Sequence, residues 1–226
     1  MDWNQPEETN LKRASLREEV MTHVRDGIFS GHYKPGEKID QDQIAKTLGL
    51  SRLPVREALI ALEGASLVEI IPRHGAFVAR LSQEDIVDHY RIYAVVSGMA
   101  AERAAQNMAS ELFAEVRVNI AAMQNPSPTA DVGQLNYEFH RLVNRAGASG
   151  RLLALVRGLS GGTFGEFFSR DHPWTKISAS QHAEIQDAIE VRDSDGAREA
   201  MEKHIIDGGA HAVELLESRG LWGPST

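Results

Sequence analysis

Two constellations in this 226-residue sequence have residue types and spacings that could do chemistry. The first is Ser51-Arg52-Leu53-Pro54-Val55-Arg56-Glu57-Ala58-Leu59, which sets two arginines one helical turn apart at the start of a short helix. Ser51 is placed to cap that helix, and Pro54 falls in the first turn, where the amide it lacks would have had no helical partner. Arg52 and Arg56 share one face. Val55, Ala58, Leu59 and Leu62 make the opposite, inward stripe. A basic face at a helix start suits nucleic acid, although an ordinary amphipathic helix with a solvated basic face has the same pattern.

The second constellation is a set of histidines. Asn136 and His140 are four residues apart on a predicted helix and project from one face, beside the apolar stripe of Leu135, Phe139, Leu142 and Val143. His182 shares a side with Ile185 and Ile189, and His204 lies with Met201, Ile205 and Gly208. Three imidazoles directed inward are either hydrogen-bonded core residues or the ligands of a divalent metal, and burying several without a shared partner is costly. His211, two turns beyond His204 on the same stripe, is a rival ligand. The sequence has no cysteine, so disulfides and thiolate ligands are excluded and any metal must be held by His, carboxylate or amide groups.

The elements that must position these residues are legible in the patterning. Leu16, Val20, Val24 and Ile28 mark an amphipathic helix stopped by Gly31 and the Pro35-Gly36 turn. A short second helix follows, with Asp40 and Gln43 at capping-box spacing, Ile44, Ala45 and Leu48 inward, and Gly49 at its end. The break Gly49-Leu50-Ser51 between two short helices is a helix-turn-helix connection. Val68 to Ile71 and Ala76 to Ala79 read as two strands joined by Pro72-Arg73-His74-Gly75, a hairpin wing with a basic tip in which Gly75 supplies a positive φ. From Ser82 onward the pattern is helical, with six helices predicted over residues 83 to 108, 110 to 123, 129 to 147, 150 to 169, 178 to 193 and 195 to 218. Breaks fall at Asn125-Pro126-Ser127-Pro128, Gly147 to Gly150, His172-Pro173 and Asp193-Ser194-Asp195. Gly161-Gly162 and Gly208-Gly209 mark kinks or close packing.

Pro35-Gly36-Glu37-Lys38-Ile39, the Ser51 to Leu59 stretch and Pro72-Arg73-His74-Gly75-Ala76-Phe77-Val78 closely resemble, in order and spacing, the winged-helix domain of GntR-family bacterial transcription regulators. The resemblance implies a dimer on a short palindromic double-stranded operator, with the third helix in the major groove and the wing tip in the minor groove. Ser51, Arg52 and Arg56 match operator-contacting positions, with Leu53 on the same presented turn, and His74 and Gly75, beside Arg73, match the wing tip. Some members read a base with an arginine in the second helix. This chain has Asp42-Gln43 there, which shifts base readout toward Arg52.

The second part resembles the FCD ligand-binding domain of the FadR-like branch in its shorter six-helix form, where an Asp or Asn and three His bind a divalent metal inside the bundle. Phe139-His140, His182 with Ala188-Ile189, and His204-Ile205 match the motif positions, with Asn136 in the acidic slot. The implied site is therefore Asn136, His140, His182 and His204 around Zn, Ni or Mn. Asn136 is neutral, so the cation's charge is left uncompensated, which favours an anionic effector as a further ligand. The family's usual Arg and Glu on the first bundle helix are replaced by Tyr93 and Ser97, so these two face the effector and a common carboxylate clamp is missing. A small organic or sugar acid is the expected class. His89 and His172 have no motif match and are expected to be solvated or structural.

Taken together, the expected architecture is mostly α, with a winged helix-turn-helix domain over residues 1 to 80 and an all-helical antiparallel FCD bundle, for effector binding and dimerisation, over residues 81 to 226. The net charge of −8 is divided unevenly. Residues 11 to 80 carry 11 Lys+Arg against 9 Asp+Glu, while residues 81 to 226 carry 13 against 20. DNA affinity must come from local clustering and dimerisation, and it should be salt-sensitive. No apolar run reaches the length of a membrane span, and the start does not read as a signal peptide, so a cytoplasmic bacterial repressor or activator is expected. A metal-dependent hydrolase tethered to DNA is the alternative, since open His sites activate water. It needs a general base, and Glu138, the nearest carboxylate in sequence, is two residues from both Asn136 and His140 and should point elsewhere.

Overall fold

The structure, a computed structural model, describes residues 7–160 and 172–222, with side chains from Leu16 in the first stretch and from Trp174 in the second. It forms two compact units, one built on the chain up to Ser82 together with the stretch from Leu216, the other on Gln83–Leu215.

The first unit begins with α1 (Glu7–Phe29), which reaches further back than the apolar periodicity and buries Val20, Val24, Ile28 and Phe29. α2 (Gln41–Leu48) is capped by Asp40, whose carboxylate accepts from the amides of Asp42 at 2.9 Å and Gln43 at 3.0 Å. Gly49, at φ +66, closes it with its own amide bonded back to the carbonyls of Ala45 and Lys46. α3 (Arg52–Gly64) buries Val55, Ala58, Leu59 and Leu62, as the apolar stripe requires. Ser51 has the extended backbone of a cap residue, yet its hydroxyl makes no capping bond. Pro54, the third helical residue, has no amide to offer a capping hydroxyl, which leaves Leu53 at the second position as the alternative donor.

β1 (Val68–Ile71) and β2 (Gly75–Val78) pair antiparallel from Val68 opposite Val78 to Ile71 opposite Gly75, so the second strand starts one residue earlier than predicted. The turn needs two positive φ values, +114 at Gly75 and +67 at Arg73, and the second was not foreseen. The segment after Pro35 lines the outer edge of β2: Gly36 donates to Val78 O at 2.8 Å, Ile39 to Ala76 O at 2.8 Å, and Val78 to Glu37 O at 2.9 Å. That segment read in the sequence only as a turn. Trp222 Nε1 donates to Leu81 O at 2.6 Å. The stretch from Leu216 groups with this unit although it continues the helix that begins at Ser194.

The second unit holds α4 (Gln83–Asn107), α5 (Ser110–Gln124), α6 (Val132–Gly147), α7 (Gly150–Ser160), α8 (His172–Glu190) and most of α9 (Ser194–Ser218). No strand occurs in it among the described residues. α8 starts at His172 rather than 178, because Pro173 sits in the first turn, where its missing amide costs nothing. Gly161-Gly162, the predicted end of the fourth bundle helix and the His172 side chain lie outside the described residues. Asp131 caps α6 by accepting from Gln134 N at 3.0 Å.

Small residues set the spacing of the bundle. α4 buries Ala94, Ser97, Gly98, Ala100, Ala101, Ala104 and Ala105. Gly147 at the end of α6 lies so close to the α4 backbone at Ala100 and Ala104 that a Cβ there would overlap it. Gly208 and Gly209 do not break α9; they admit the rings of Trp174 and Tyr90. Arg192, at φ +61 in the turn between α8 and α9, donates to the carbonyls of Ala105, Gln106 and Met108 and so closes the C-terminus of α4. No described helix is long and apolar enough to cross a membrane.

Candidate metal centre and nucleic-acid interface

α6, α8 and α9 each deliver one histidine to the same point. The periodicity that made His140, His182 and His204 inward-facing is realised, with His182 and His204 buried and His140 half-buried. His204 Nε2 lies 3.1 Å from His182 Nε2 and 3.3 Å from His140 Nε2. One ligand nitrogen from each ring falls within 4.8 Å of the other two. Phe139 stacks on His182 at 3.8 Å between centroids, which fixes that ring's plane.

This donor set fits a divalent metal. Nitrogens about 2.0–2.1 Å from a tetrahedral metal stand about 3.3 Å from one another, close to the two separations found. Burial pushes the His140 pKa down to about 4. Burial, reinforced by the neighbouring imidazoles, pushes His182 and His204 well below 6.5, and for His204 Lys203 adds to this. All three rings are thus neutral near pH 7, the form in which imidazole binds metal.

The remaining predicted residues are placed less directly. Asn136 is half-buried, and its Oδ1 accepts from Ser178 Oγ at 3.4 Å. Ser178 and His182 repeat on α8 the four-residue spacing of Asn136 and His140 on α6, so the Asn136–Ser178 pair lies one turn along from the histidines. Tyr93 and Ser97 are both buried on α4. Burial raises the Tyr93 pKa to about 12 against the opposing hydrogen bond from Ser97, whose Oγ otherwise has no well-aligned partner. His211 stacks on Trp174 at 5.0 Å and is not part of the three-histidine group. His89 is half-buried beside Leu159, and burial lowers its pKa.

Sequence reasoning missed the groups behind the histidines. Gln181 is buried, and its Oε1 lies 2.9 Å from His204 Nδ1 while its Nε2 donates to Asp207 at 2.6 Å. Asp207 also takes Lys203 Nζ at 2.6 Å. His182 Nδ1 lies 3.3 Å from Met123 Sδ. The available signal was that Gln181 adjoins one histidine and Asp207 follows another by three residues. The general base that a hydrolase would need is absent at Glu138, whose carboxylate is held by Arg141 at 2.5 and 2.6 Å.

In the first unit Ser51, Arg52, Leu53 and Arg56 are all exposed at the start of α3, and Arg73 and His74 are exposed at the wing tip with Gly75 half-buried. A cleft of about 630 Å³ runs between the two, lined among others by Lys38, Asp42, Arg52, Arg73 and His74. Arg52 is not free within it. Its Nε and Nη2 grip both carboxylate oxygens of Asp42, at 2.5 and 2.8 Å.

An exposed basic turn opening the second helix of a helix-turn-helix, flanked by a wing, defines a winged-helix DNA-binding class. The comparisons with known proteins agree. Residues 16–78 match the gntR family of bacterial regulatory proteins, and residues 88–207 match the FCD domain. A Paenarthrobacter nicotinovorans protein described as a probable D-xylose utilization operon transcriptional repressor is 30% identical over 200 residues, covering 86% of this chain and 88% of its own. An HTH-type regulator of Mycobacterium tuberculosis is 28% identical over 141 residues, 62% of this chain, and the chain spans 58% of that relative's length. A crystal structure of a GntR family regulator from Pseudomonas syringae superimposes with a TM-score of 0.55 at 27% identity, covering 91% of this chain and 88% of that one. Escherichia coli McbR/YncC shares the fold, with a TM-score of 0.68 at 18% identity over 88% of this chain and 97% of that one. The chain belongs to the gntR family of bacterial regulatory proteins and carries an FCD domain. Its relatives are transcriptional regulators rather than enzymes, and the hydrolase alternative finds no support.

Proposed function

We propose that this protein is a sequence-specific regulator of transcription whose grip on a palindromic operator is changed by a small anionic effector bound at a metal in the helical unit. The observation that carries this reading is the convergence of His140, His182 and His204 in a chain that also presents Arg52 and Arg56 on a winged helix. Asn136 would complete the ligand set by leaving Ser178, and Zn, Ni or Mn would suit imidazole and amide donors. When bound, the metal would supply a fixed positive charge. Three neutral imidazoles and an amide leave that charge unbalanced, so a carboxylate ligand completes the site. Tyr93 and Ser97 are the hydroxyl donors proposed to face it. The relative named for D-xylose utilization places sugars beside sugar-derived acids among the first compounds to try.

Two-fold operator symmetry calls for a dimer. α4 exposes Ile92 and Val95 on one face, apolar surface that a second copy would cover. The test is a thermal-shift screen of organic and sugar acids with and without Zn²⁺, followed by gel shifts on the upstream DNA of the protein's own operon. A metal-dependent hit that alters operator binding supports the reading. Operator binding indifferent to every metal-dependent ligand would overturn it.

A further inference from the structure

We propose that Gln181 and Asp207 are positioning residues that hold His204 in the one tautomer able to bind metal, and that this two-residue relay sets the affinity of the site for a divalent cation. The inference rests on the metal reading above but concerns residues outside the ligand set.

The argument runs inward from the surface. Asp207, half-exposed on α9, presents its carboxylate as a hydrogen-bond acceptor. It takes one from Lys203 and one from Gln181 Nε2, each at 2.6 Å. A side-chain amide has a donating end and an accepting end. With the donating end turned to the carboxylate, the accepting Oε1 must face His204 Nδ1, and it does so at 2.9 Å. A carbonyl oxygen cannot donate, so Nδ1 carries the proton. A neutral imidazole has only one, and Nε2 is therefore left with its lone pair directed at the other two histidines. The identity of the groups alone fixes this orientation.

His182 is held less firmly. Its Nδ1 faces the Met123 thioether, a weak acceptor, at 3.3 Å. His204 is thus the anchored ring of the pair. Without metal, His182 Nε2 donates its proton to the His204 Nε2 lone pair at 3.1 Å, and a cation would take the proton's place by turning His182 into its other tautomer. A cation there would draw electron density through His204 and make its Nδ1–H more acidic. The Gln181 carbonyl, backed by a carboxylate, stabilises that polarisation, which is how groups behind a ligand strengthen it. Gln181 is buried, so water cannot replace Asp207 as the partner of its amide.

The relay exists because α8 and α9 form a hairpin through the Arg192 turn. Gln181 adjoins His182 on one arm, and Asp207 stands one turn past His204 on the other, so a glutamine side chain spans from carboxylate to ring.

The test uses the full-length protein, Zn²⁺ titration against a competing chelator, and ¹⁵N spectra of histidine that report each ring's tautomer without any metal. In wild-type protein His204 should show a protonated Nδ1. Gln181→Met, close in shape but unable to accept or donate, should weaken Zn²⁺ about 10- to 100-fold. It should also shift His204 toward mixed tautomers. Asp207→Asn, which lets the amide turn over, should do the same in milder form and serves if Gln181→Met does not fold. The double variant Gln181→Glu with Asp207→Asn keeps an acceptor against His204 and a donor behind it, and should restore Zn²⁺ binding to wild-type strength or better, a rescue that a purely structural role does not give. Wild-type affinity and an unchanged His204 tautomer in both single variants would overturn the proposal. A wild-type protein that took up no Zn²⁺ would defeat the metal reading and the affinity half of this one, while the metal-free spectra would still decide whether the relay holds the tautomer.

Discussion

Asp42 and Arg52 are ten residues apart in sequence, yet the carboxylate of the first takes the side edge of the guanidinium of the second, through Nε at 2.5 Å and Nη2 at 2.8 Å. The end edge, Nη1 and the other Nη2 hydrogen, stays available, and it is the edge that can meet guanine O6 and N7 together. Asp42 on α2 therefore fixes the direction of the Arg52 guanidinium on α3.

That geometry makes two opposed predictions. Arg52→Ala should cost about 1–3 kcal/mol on the cognate operator and relax preference at one base pair. Asp42→Ala should raise affinity for scrambled DNA by removing a negative charge near phosphate, while lowering the ratio of specific to nonspecific binding. Gel shifts on both duplexes at two salt concentrations measure this. An Asp42→Ala protein with undiminished discrimination would show that the pair only neutralises charge.

For the metal centre, His182→Ala and His204→Ala should each abolish tight uptake of Zn²⁺, since each removes a ligand from the group of three. Asn136→Asp should tighten uptake by adding a negative charge beside the cation, and should weaken an anionic effector for the same reason. Calorimetric titration with metal, then with the best acid from the screen, reads both. Metal binding that survives the double His182 and His204 substitution would remove the site.

The buried histidines also tie stability to pH. Burial holds His89, His140, His182 and His204 below the ordinary 6.5, His140 at about 4. As pH falls below 6.5 the unfolded chain takes up protons that the folded one does not. The stability of metal-free protein should therefore be full above about pH 6.5 and decline as pH falls toward the folded values. Urea midpoints measured between about pH 7.5 and 5.5 should drop, and His89→Gln should make the slope shallower. A flat profile would contradict the burial.

Close packing at the end of α6 yields a structural prediction. Gly147→Ala drives a methyl into the α4 backbone at Ala100 and Ala104, where no flexible side chain can give way. It should destabilise the helical unit by about 1–3 kcal/mol or more, visible as a lower thermal midpoint of the helical signal.

Much of this molecule was legible before its structure was. The winged helix read clearly because its signals are local: Asp40 capping, Gly49 at positive φ, a two-sided α3 and a glycine in the wing turn. The inward direction of the three histidines followed from helical period alone. What escaped lay in contacts between elements. Gln181 beside a histidine gives no periodic signal of its role, which comes from Asp207 on another helix. The Asp42–Arg52 pair depends on the angle between α2 and α3. Ser51 lost one capping partner because a rule about serine met a rule about proline three residues on. Pro173 read as a break although it opens a helix, and the hydrogen bond from Trp222 to Leu81 left no trace in the local pattern.

The Arg192 clasp has a consequence for the order in which the bundle assembles. It joins a turn to carbonyls 84 to 87 residues earlier in the chain. Such a contact closes a long loop, whose chain entropy is lost before the bonds can repay it. If the clasp forms after the transition state, Arg192→Ala should speed unfolding of the helical unit and leave refolding almost unchanged, as stopped-flow traces in urea would show.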